Sequence, residues 1–502
     1  MSKTFEKLDS YLEKGKALNA ALILFEWDLA TLAPEKSDKN TSDFIGIISD
    51  QYFSTLINDE VKQLLEKLEQ EEEQKELSEI EKAIVKEVRK RYEELESIPQ
   101  KEYREFSELK ARATSVWEKA KNKGDYKAFE PTLEELIQYR KKFIQYRFDE
   151  KKHKNPYDVL LGDFEPGFDV EQLDEFFNQI KEELVPFIQE ILKKTKDVDK
   201  AYNFKEYNLD KQRELSRFLA EYVGFDFEKG VLAESAHPFT TGLHNHDVRI
   251  TNHYFKDNLE SGIFSVIHES GHAVYEMQIS DDITMTMVGE GTSLGMHESQ
   301  SRFFENVIGR SEAFWKPLYH KLQDTFNEQL KDISLEKFLK GCNKPEAGLI
   351  RTEADELTYP LHILIRYEIE KMIFNDEVEA RDLAEIWNEK YKEYLGVTPK
   401  NDGEGILQDI HWAGGDFGYF PSYAIGSAVA AQIYYHLLKV MPFEEYLEQG
   451  NLKAIREYLK EHIHKYGMMK NTNEILKDMT GEEFNPAYYI RYLKEKYTKL
   501  YE

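Results

Sequence analysis

Apolar residues along most of the chain recur at steps of three and four, which places them on one face of an α-helix. Ser78 and Glu81 have the spacing of a capping box at a helix start, and Ile80, Ile84 and Val88 then follow the helical step. The same pattern predicts further amphipathic helices near residues 5–28, 102–122, 132–147, 171–195, 210–222, 298–330, 349–374, 379–395, 422–440 and 450–466. These segments cover most of the chain and favour an all-α fold.

One segment departs from the helical pattern. Between Ala236 and Tyr254, polar and β-branched residues mix with His, Asn and Gly, and Val248 to Thr251 alternates as a short strand does. We therefore predict an all-α fold with one small β-sheet near residues 236–254. The pattern leaves two roles open for this sheet: an ordinary surface hairpin, or an edge strand that holds an extended peptide by main-chain hydrogen bonds.

The charge balance argues against some classes of binding partner, and the single cysteine indicates the cellular compartment. Of 502 residues, 67 are Lys or Arg and 95 are Asp or Glu, so the formal net charge is −28. This balance argues against nucleic acids and anionic membranes, which attract concentrated Lys and Arg. No apolar run approaches the length of a membrane span, and the N-terminus carries charges where a signal peptide would be apolar. A lone cysteine, Cys342, fits a reducing compartment, and we expect the cytoplasm.

A metal-binding pattern stands within one of the helical segments. His268 and His272 lie four positions apart with Glu269 between them, and Asn258 or Ser261 is predicted to cap their helix. Residues at this spacing share one helix face, so both imidazoles can bind one zinc ion at about 2.0–2.1 Å. Glu269 points aside, where it can take a proton from a metal-bound water whose pKa falls towards about 7.

Glu298, which lies 26 residues after His272, is the candidate third ligand. Two histidines and one glutamate leave a fourth position open, as in catalytic zinc sites. A structural zinc site needs four protein ligands, usually cysteines, and one cysteine cannot supply them. Gly271, between the histidines, fits either close packing against a neighbour or space beside the metal.

Six motifs, in order, resemble those of the thermostable (Taq-type) metallocarboxypeptidases. They are HPF at 237–239, DXRXT at 247–251, HEXXH at 268–272, HESQ at 297–300, IRXXAD at 350–355 and GXXQDXHW at 405–412. The resemblance covers most of the chain. Leu32 and Ala33 before Pro34, and Met277 and Gln278 after the histidine pair, depart from the family's usual residues, but none is an expected ligand.

The resemblance implies a peptidase that releases single amino acids from peptide C-termini with broad specificity. It further implies one zinc or cobalt ion per chain, a homodimer, and a deep groove with the metal at its floor. We expect one catalytic domain over residues 1–502, in which a helical part of about 1–200 forms a groove wall and about 201–502 forms the metal-binding core.

The motifs also nominate groups that contact the substrate. His237, His411 and Tyr423 are candidate donors to the oxyanion of the transition state, and Tyr419 is a candidate substrate-binding residue. Their alternative role is that of satisfied polar or aromatic core groups.

An arginine suits the terminal carboxylate of a peptide because it forms two parallel charged hydrogen bonds. Arg351 is our first choice, with Arg249 and Arg366 behind it. The alternative is a structural Arg351 paired to Asp355 within one helix. Carboxylates are also expected to orient the metal-binding imidazoles, and the candidates are Glu305, Asp355 and Asp409.

Two other functions share the same residues. An endo-oligopeptidase or dipeptidyl carboxypeptidase would use the same metal chemistry but would lack a carboxylate-binding group beside the first leaving residue. A non-catalytic peptide-binding protein would keep only the fold, and the intact His268, Glu269, His272 and Glu298 argue against it because a scaffold needs no base.

Overall fold

Helices make up most of the protein, and they leave one small sheet between the eleventh and the twelfth. The computed structural model describes residues 2–501, without the side chains of residues 35, 38, 39 and 95. The helices before the sheet are α1 Lys3–Thr31, α2 Asp38–Leu56, α3 Asp59–Leu68, α4 Glu71–Glu76, α5 Glu79–Glu96, α6 Gln100–Lys123, α7 Tyr126–Arg147, α8 Asp158–Phe164, α9 Val170–Gln179, α10 Val185–Lys194 and α11 Leu209–Val223.

The sheet has three strands, β1 Gly230–Glu234, β2 Thr240–His244 and β3 Asp247–Asn252. β3 lies in the middle, parallel to β1 and antiparallel to β2. Its buried Val248 and Ile250 face the core, as the alternating pattern predicts. The predicted all-α fold with one small sheet is therefore confirmed, although the first strand begins before residue 236.

Fourteen helices follow the sheet among the described residues. They are α12 Leu259–Met277, α13 Leu294–Arg302, α14 Glu312–Trp315, α15 Tyr319–Thr325, α16 Asn327–Leu330, α17 Leu335–Cys342, α18 Tyr359–Phe374, α19 Leu383–Leu395, α20 His411–Gly414, α21 Pro421–Val440, α22 Phe443–Glu448, α23 Leu452–His462, α24 Thr472–Thr480 and α25 Ala487–Tyr501. None of the described helices has the length and apolar composition needed to cross a membrane.

Two predicted helices are wrong in their extent. The stretch at 298–330 breaks into four helices because a π-helical turn, Phe303–Ile308, follows α13 and Pro317 then separates α14 from α15. The stretch at 349–374 becomes helical only at Tyr359, where Pro360 stands in the first turn. The capping box is confirmed, since the Ser78 amide donates to Glu81 and the Glu81 amide to the Ser78 hydroxyl.

The apolar side chains form a large cluster and a small one. The large cluster extends from Ile98 to Tyr497 and contains α12 and α13. The small one joins side chains of α1, α3 and α5 to Ile279, Ile283 and Val288, in the segment between α12 and α13. The N-terminal helices therefore pack directly against the segment that connects these two helices.

Candidate active site

Helix α12 carries the histidine pair. Its N-cap is Asn258, whose side chain accepts a hydrogen bond from the Ser261 amide, and this settles which of the two predicted residues caps it. His268 and His272 stand one turn apart with ring centroids 4.9 Å from each other. Both rings therefore face the same side of the helix.

Helix α13 packs against α12 and brings Glu298 to the two imidazoles. The Glu298 Oε2 atom lies 3.6 Å from His268 Nε2 and 3.4 Å from His272 Nε2. Gly271 makes this approach possible, because a Cβ atom there would lie 2.8 Å from the Gln300 carbonyl oxygen. Close packing is thus the observed role of this glycine.

The three side chains have the donor set that a divalent cation requires, and two of them, His272 and Glu298, also have the charge state. Their ligand atoms lie within 4.8 Å of one another. Burial lowers the pKa of His272 to about 3, so its ring is neutral near pH 7. Burial alone would raise the pKa of Glu298, but Arg302 and His268 outweigh it and hold that pKa well below its usual value. Two nitrogens and one carboxylate oxygen fit a zinc-like ion with an open position.

A carboxylate orients His268 from behind. The Nδ1–H group of His268 donates to Glu305 Oε2 at 2.9 Å, and Arg310 holds the other oxygen of Glu305 at 3.0 Å. Of the three predicted orienting carboxylates, Glu305 is confirmed. Asp355 and Asp409 are wrong choices, because Asp355 accepts hydrogen bonds from the Leu357 and Thr358 amides just before α18 and Asp409 binds two arginines.

Glu269 lies beside the metal-binding group, and β2 holds it there. Its Oε2 atom accepts a 2.6 Å hydrogen bond from the Thr240 hydroxyl. Its side chain is buried, and this burial raises its pKa. A carboxylate with a raised pKa is a better proton acceptor at neutral pH than an ordinary one.

One aromatic cluster joins α20 to α21. It consists of His411 on α20, Tyr419 in the connection and Tyr423 in the first turn of α21. His411 Nε2 lies 3.2 Å from the Tyr423 hydroxyl, and its ring centroid is 5.0 Å from that of Tyr419. Burial lowers the pKa of His411 to about 4, with smaller contributions from nearby arginines. The imidazole is therefore neutral at pH 7 and has one proton to donate.

Arg351 pairs with Asp409 and not with Asp355. Its Nε atom donates to Asp409 Oδ1 at 3.0 Å, while Arg366 Nε donates to Oδ2 at 2.7 Å. The alternative of a pairing with Asp355 within one helix is wrong, because residues 351–353 form only one 3-10 turn before α18. Two guanidinium groups share one carboxylate, so this cluster keeps one net positive charge. The Arg351 guanidinium lies 4.8 Å from the centre of the Tyr423 ring.

The other two nominated residues lie on the sheet side. Arg249 on β3 forms a bidentate pair with Asp247, at 2.8 and 2.9 Å, and stacks on Trp27 of α1 at 5.7 Å. His237 is exposed in the connection between β1 and β2. The structure does not bring His237 into contact with the aromatic cluster.

Comparison with known proteins decides the family. The family model described as "Carboxypeptidase Taq (M32) metallopeptidase" matches residues 7–497. The chain belongs to this family. It is 44% identical over 500 residues to Carboxypeptidase 1 of Bacillus subtilis, with 99% of each chain covered. It is 36% identical over 499 residues to Thermostable carboxypeptidase 1 of Pyrococcus furiosus, again with 99% of each chain covered.

A solved structure agrees with this assignment. The M32 carboxypeptidase from Deinococcus radiodurans R1 superposes with a TM-score of 0.95 at 28% sequence identity, and all of both chains is covered. The protein is therefore an M32-family metallocarboxypeptidase, as its six motifs predicted.

Several residues of this M32 site were not predicted from the sequence. Arg302 donates to Glu298 at 2.7 Å, four positions along the same helical segment, a spacing that could have revealed it. Thr240 is brought to Glu269 only by the tertiary fold. No local sequence signal marks it.

Proposed function

We propose that this metallocarboxypeptidase binds one zinc or cobalt ion per chain through His268, His272 and Glu298 and releases single C-terminal residues from peptides. The observation that carries the proposal is the convergence of these three donors on one point, with the carboxylate of Glu269 beside them. A divalent cation bound there supplies Lewis-acid activation of water and of the scissile carbonyl.

Glu269 is the proposed general base. Its carboxylate takes a proton from the attacking water and then gives that proton to the departing amine. Thr240 holds one carboxylate oxygen by its 2.6 Å hydrogen bond, which directs the other oxygen to the reaction. Burial raises the pKa of Glu269, which strengthens it as a base.

His411 and Tyr423 are the proposed donors to the oxyanion. The buried Nδ1 atom of His411 has no hydrogen-bond partner among the described residues, which favours a proton on Nε2. The His411 Nε2 atom lies 3.2 Å from the Tyr423 hydroxyl oxygen, so the two donors are adjacent. His237 stays a prediction as a third donor, and a substrate-induced movement would have to bring it in.

Arg351 is the proposed anchor for the terminal carboxylate, with Tyr419 as part of the surrounding pocket. The cluster of Arg351, Arg366 and Asp409 has a net positive charge, and Arg366 is fully buried whereas Arg351 is 6% exposed. Arg351 therefore presents the accessible edge of this cluster. Arg249 is the second choice, because its pair with Asp247 carries no net positive charge.

The family resemblance supports three broader proposals: broad side-chain tolerance at the released residue, a homodimer, and one catalytic domain whose N-terminal helices form a wall of the groove. The lone Cys342, which is buried, supports a cytoplasmic location.

A peptide with a free or an amidated C-terminus tests the anchor. Amidation removes the charge that Arg351 binds, so kcat/KM is expected to fall by about a hundredfold or more. Arg351→Ala is expected to cause a similar loss on the free peptide and little further loss on the amidated one. Arg351→Lys, which keeps the charge, is the matched control and retains part of the preference.

Efficient internal cleavage of the amidated peptide would instead identify an endo-oligopeptidase. Circular dichroism and metal content of each variant show whether a loss comes from the anchor or from an altered fold.

A further inference from the structure

A second imidazole lies directly behind His272. The Nδ1 atom of His272 is 2.6 Å from the Nδ1 atom of His297, and His297 Nε2 is 2.7 Å from Glu276 Oε1. The three side chains thus form a line that runs away from the metal-binding group. His297 comes from α13, while His272 and Glu276 stand one turn apart on α12.

The protons along this line have only one consistent arrangement for metal binding. An ionised carboxylate accepts hydrogen bonds only, so Glu276 requires a proton on His297 Nε2. A neutral His297 then has a lone pair on Nδ1 and must receive the proton of His272 Nδ1. This leaves the lone pair of His272 on Nε2, the atom that lies 3.4 Å from Glu298 Oε2.

The backbone secures the acceptor end of the line. The amide of Gly291 donates to the same Glu276 oxygen at 3.2 Å. A Cβ atom at residue 291 would lie 2.6 Å from His297 Cδ2, so only glycine lets the chain pass this close. Two N–H groups therefore converge on Glu276 Oε1 and keep it in place.

We propose that Glu276 and His297 act as a relay of positioning residues for His272. The relay selects the tautomer of His272 and holds its Nε2 lone pair towards the cation. It differs from the support of His268, where one carboxylate contacts the imidazole directly and Arg310 neutralises that carboxylate. This inference rests on the proposed metal site at His268, His272 and Glu298.

The affinity of the metal-free protein for zinc tests the relay. Zinc is removed with a chelator, and its dissociation constant is then measured by competition with a chromophoric chelator. His297→Phe and Glu276→Leu remove the relay and are each expected to weaken zinc binding about 10- to 100-fold. Their double variant is expected to match His297→Phe alone, because both changes break the same line.

Two conservative variants provide the matched controls. In His297→Asn, the side-chain oxygen can stand where Nδ1 accepts the proton of His272, so most of the affinity is expected to return. In Glu276→Gln, the amide oxygen can still accept from Gly291 and His297, so only a small loss is expected. The melting temperature of each metal-free variant reports on folding, and the conservative pair keeps the test valid if a larger change unfolds the chain.

The outcomes show whether the proposed relay or the proposed metal site is wrong. The relay is overturned if Glu298→Ala loses zinc while His297→Phe and Glu276→Leu bind it as the native protein does. It is also overturned if His297→Asn is as weak as His297→Phe, or if the losses in the double variant add. If Glu298→Ala itself binds zinc normally, the proposed metal site is wrong.

Discussion

At the scale of single residues, two buried glutamates in one site have pKa values that are shifted in opposite directions. Burial raises the pKa of Glu269, whose nearest polar partner is the uncharged Thr240. Arg302 and His268 lower the pKa of Glu298 despite equal burial. One carboxylate is thereby suited to accept a proton and the other to stay ionised as a ligand.

We expect Glu269→Gln to keep the metal and to lose activity by about a thousandfold, since the amide preserves shape but cannot accept the proton. Metal content by mass spectrometry and kcat on a short peptide measure the two effects. Glu298→Ala is the contrasting variant and should lose the metal. Loss of metal from Glu269→Gln would show that Glu269 is itself a ligand.

The spacing of His268 and His272 was visible in the sequence because a helix turns that spacing into a shared face, whereas Glu298 stands on a second helix that packs against the first. The pairing of Arg351 with Asp409 was not visible, since 58 positions separate them and only the tertiary fold joins them. The sequence suggested Asp355 because a helix was assumed where a single 3-10 turn exists.

At the scale of secondary-structure elements, the site depends on how closely α12, α13 and α21 approach. Gly426 of α21 faces Glu298, and a Cβ atom there would lie 2.7 Å from the Cβ of Glu298 and 2.9 Å from the Gly295 carbonyl oxygen. Two glycines, Gly271 and Gly426, thus fix the position of the third ligand from opposite sides.

Gly426→Ala is expected to push α13 away and to weaken zinc binding, at a cost of about 1–3 kcal/mol in stability for the overpacked contact. Gly46→Ala in α2 is the control, because a Cβ atom there has nothing within 4 Å. The control should be neutral or slightly stabilising, since alanine favours the helix. Equal zinc affinity in both variants would mean that this packing does not position Glu298.

Periodicity identified most helices because each buries an apolar stripe. It missed the breaks after α13, where a π-helical turn keeps Phe303 and Phe304 buried without ending the apolar pattern. Apolar residues continue through this turn, so periodicity alone does not reveal it.

At the scale of the whole molecule, the stability of the fold is linked to pH through Glu165, a buried acid that is not one of the metal-binding side chains. Glu165 is fully buried and accepts a hydrogen bond from the Gly295 amide at the start of α13. Burial raises its pKa to about 7 against hydrogen bonds that lower it. Its ordinary value is 4.5, so the folded protein binds the proton more tightly than the unfolded chain does.

The stabilisation from this proton is complete below pH 4.5 and is lost as the pH rises to about 7. Glu165→Gln imitates the protonated acid and should reduce the fall in melting temperature between pH 5 and pH 8. Calorimetry of the metal-free native and variant proteins at both values measures it. An unchanged fall would show that Glu165 is already ionised in the folded protein.

The net charge of −28 predicted a partner that is not a polyanion, but it carried no information on the groove. The positive cluster of Arg351, Arg366 and Asp409 is a local reversal of that charge and arises from tertiary contacts alone.

The proposed metal-dependent release of single C-terminal residues is tested most directly by the products formed from one short peptide, before and after removal of the metal. With one equivalent of metal per chain, mass spectrometry should show a ladder of products that shortens by single residues from a free C-terminus. The ladder should disappear after chelation and return when zinc or cobalt is added. Products cut at internal bonds, or a ladder that persists in the metal-free protein, would contradict the account.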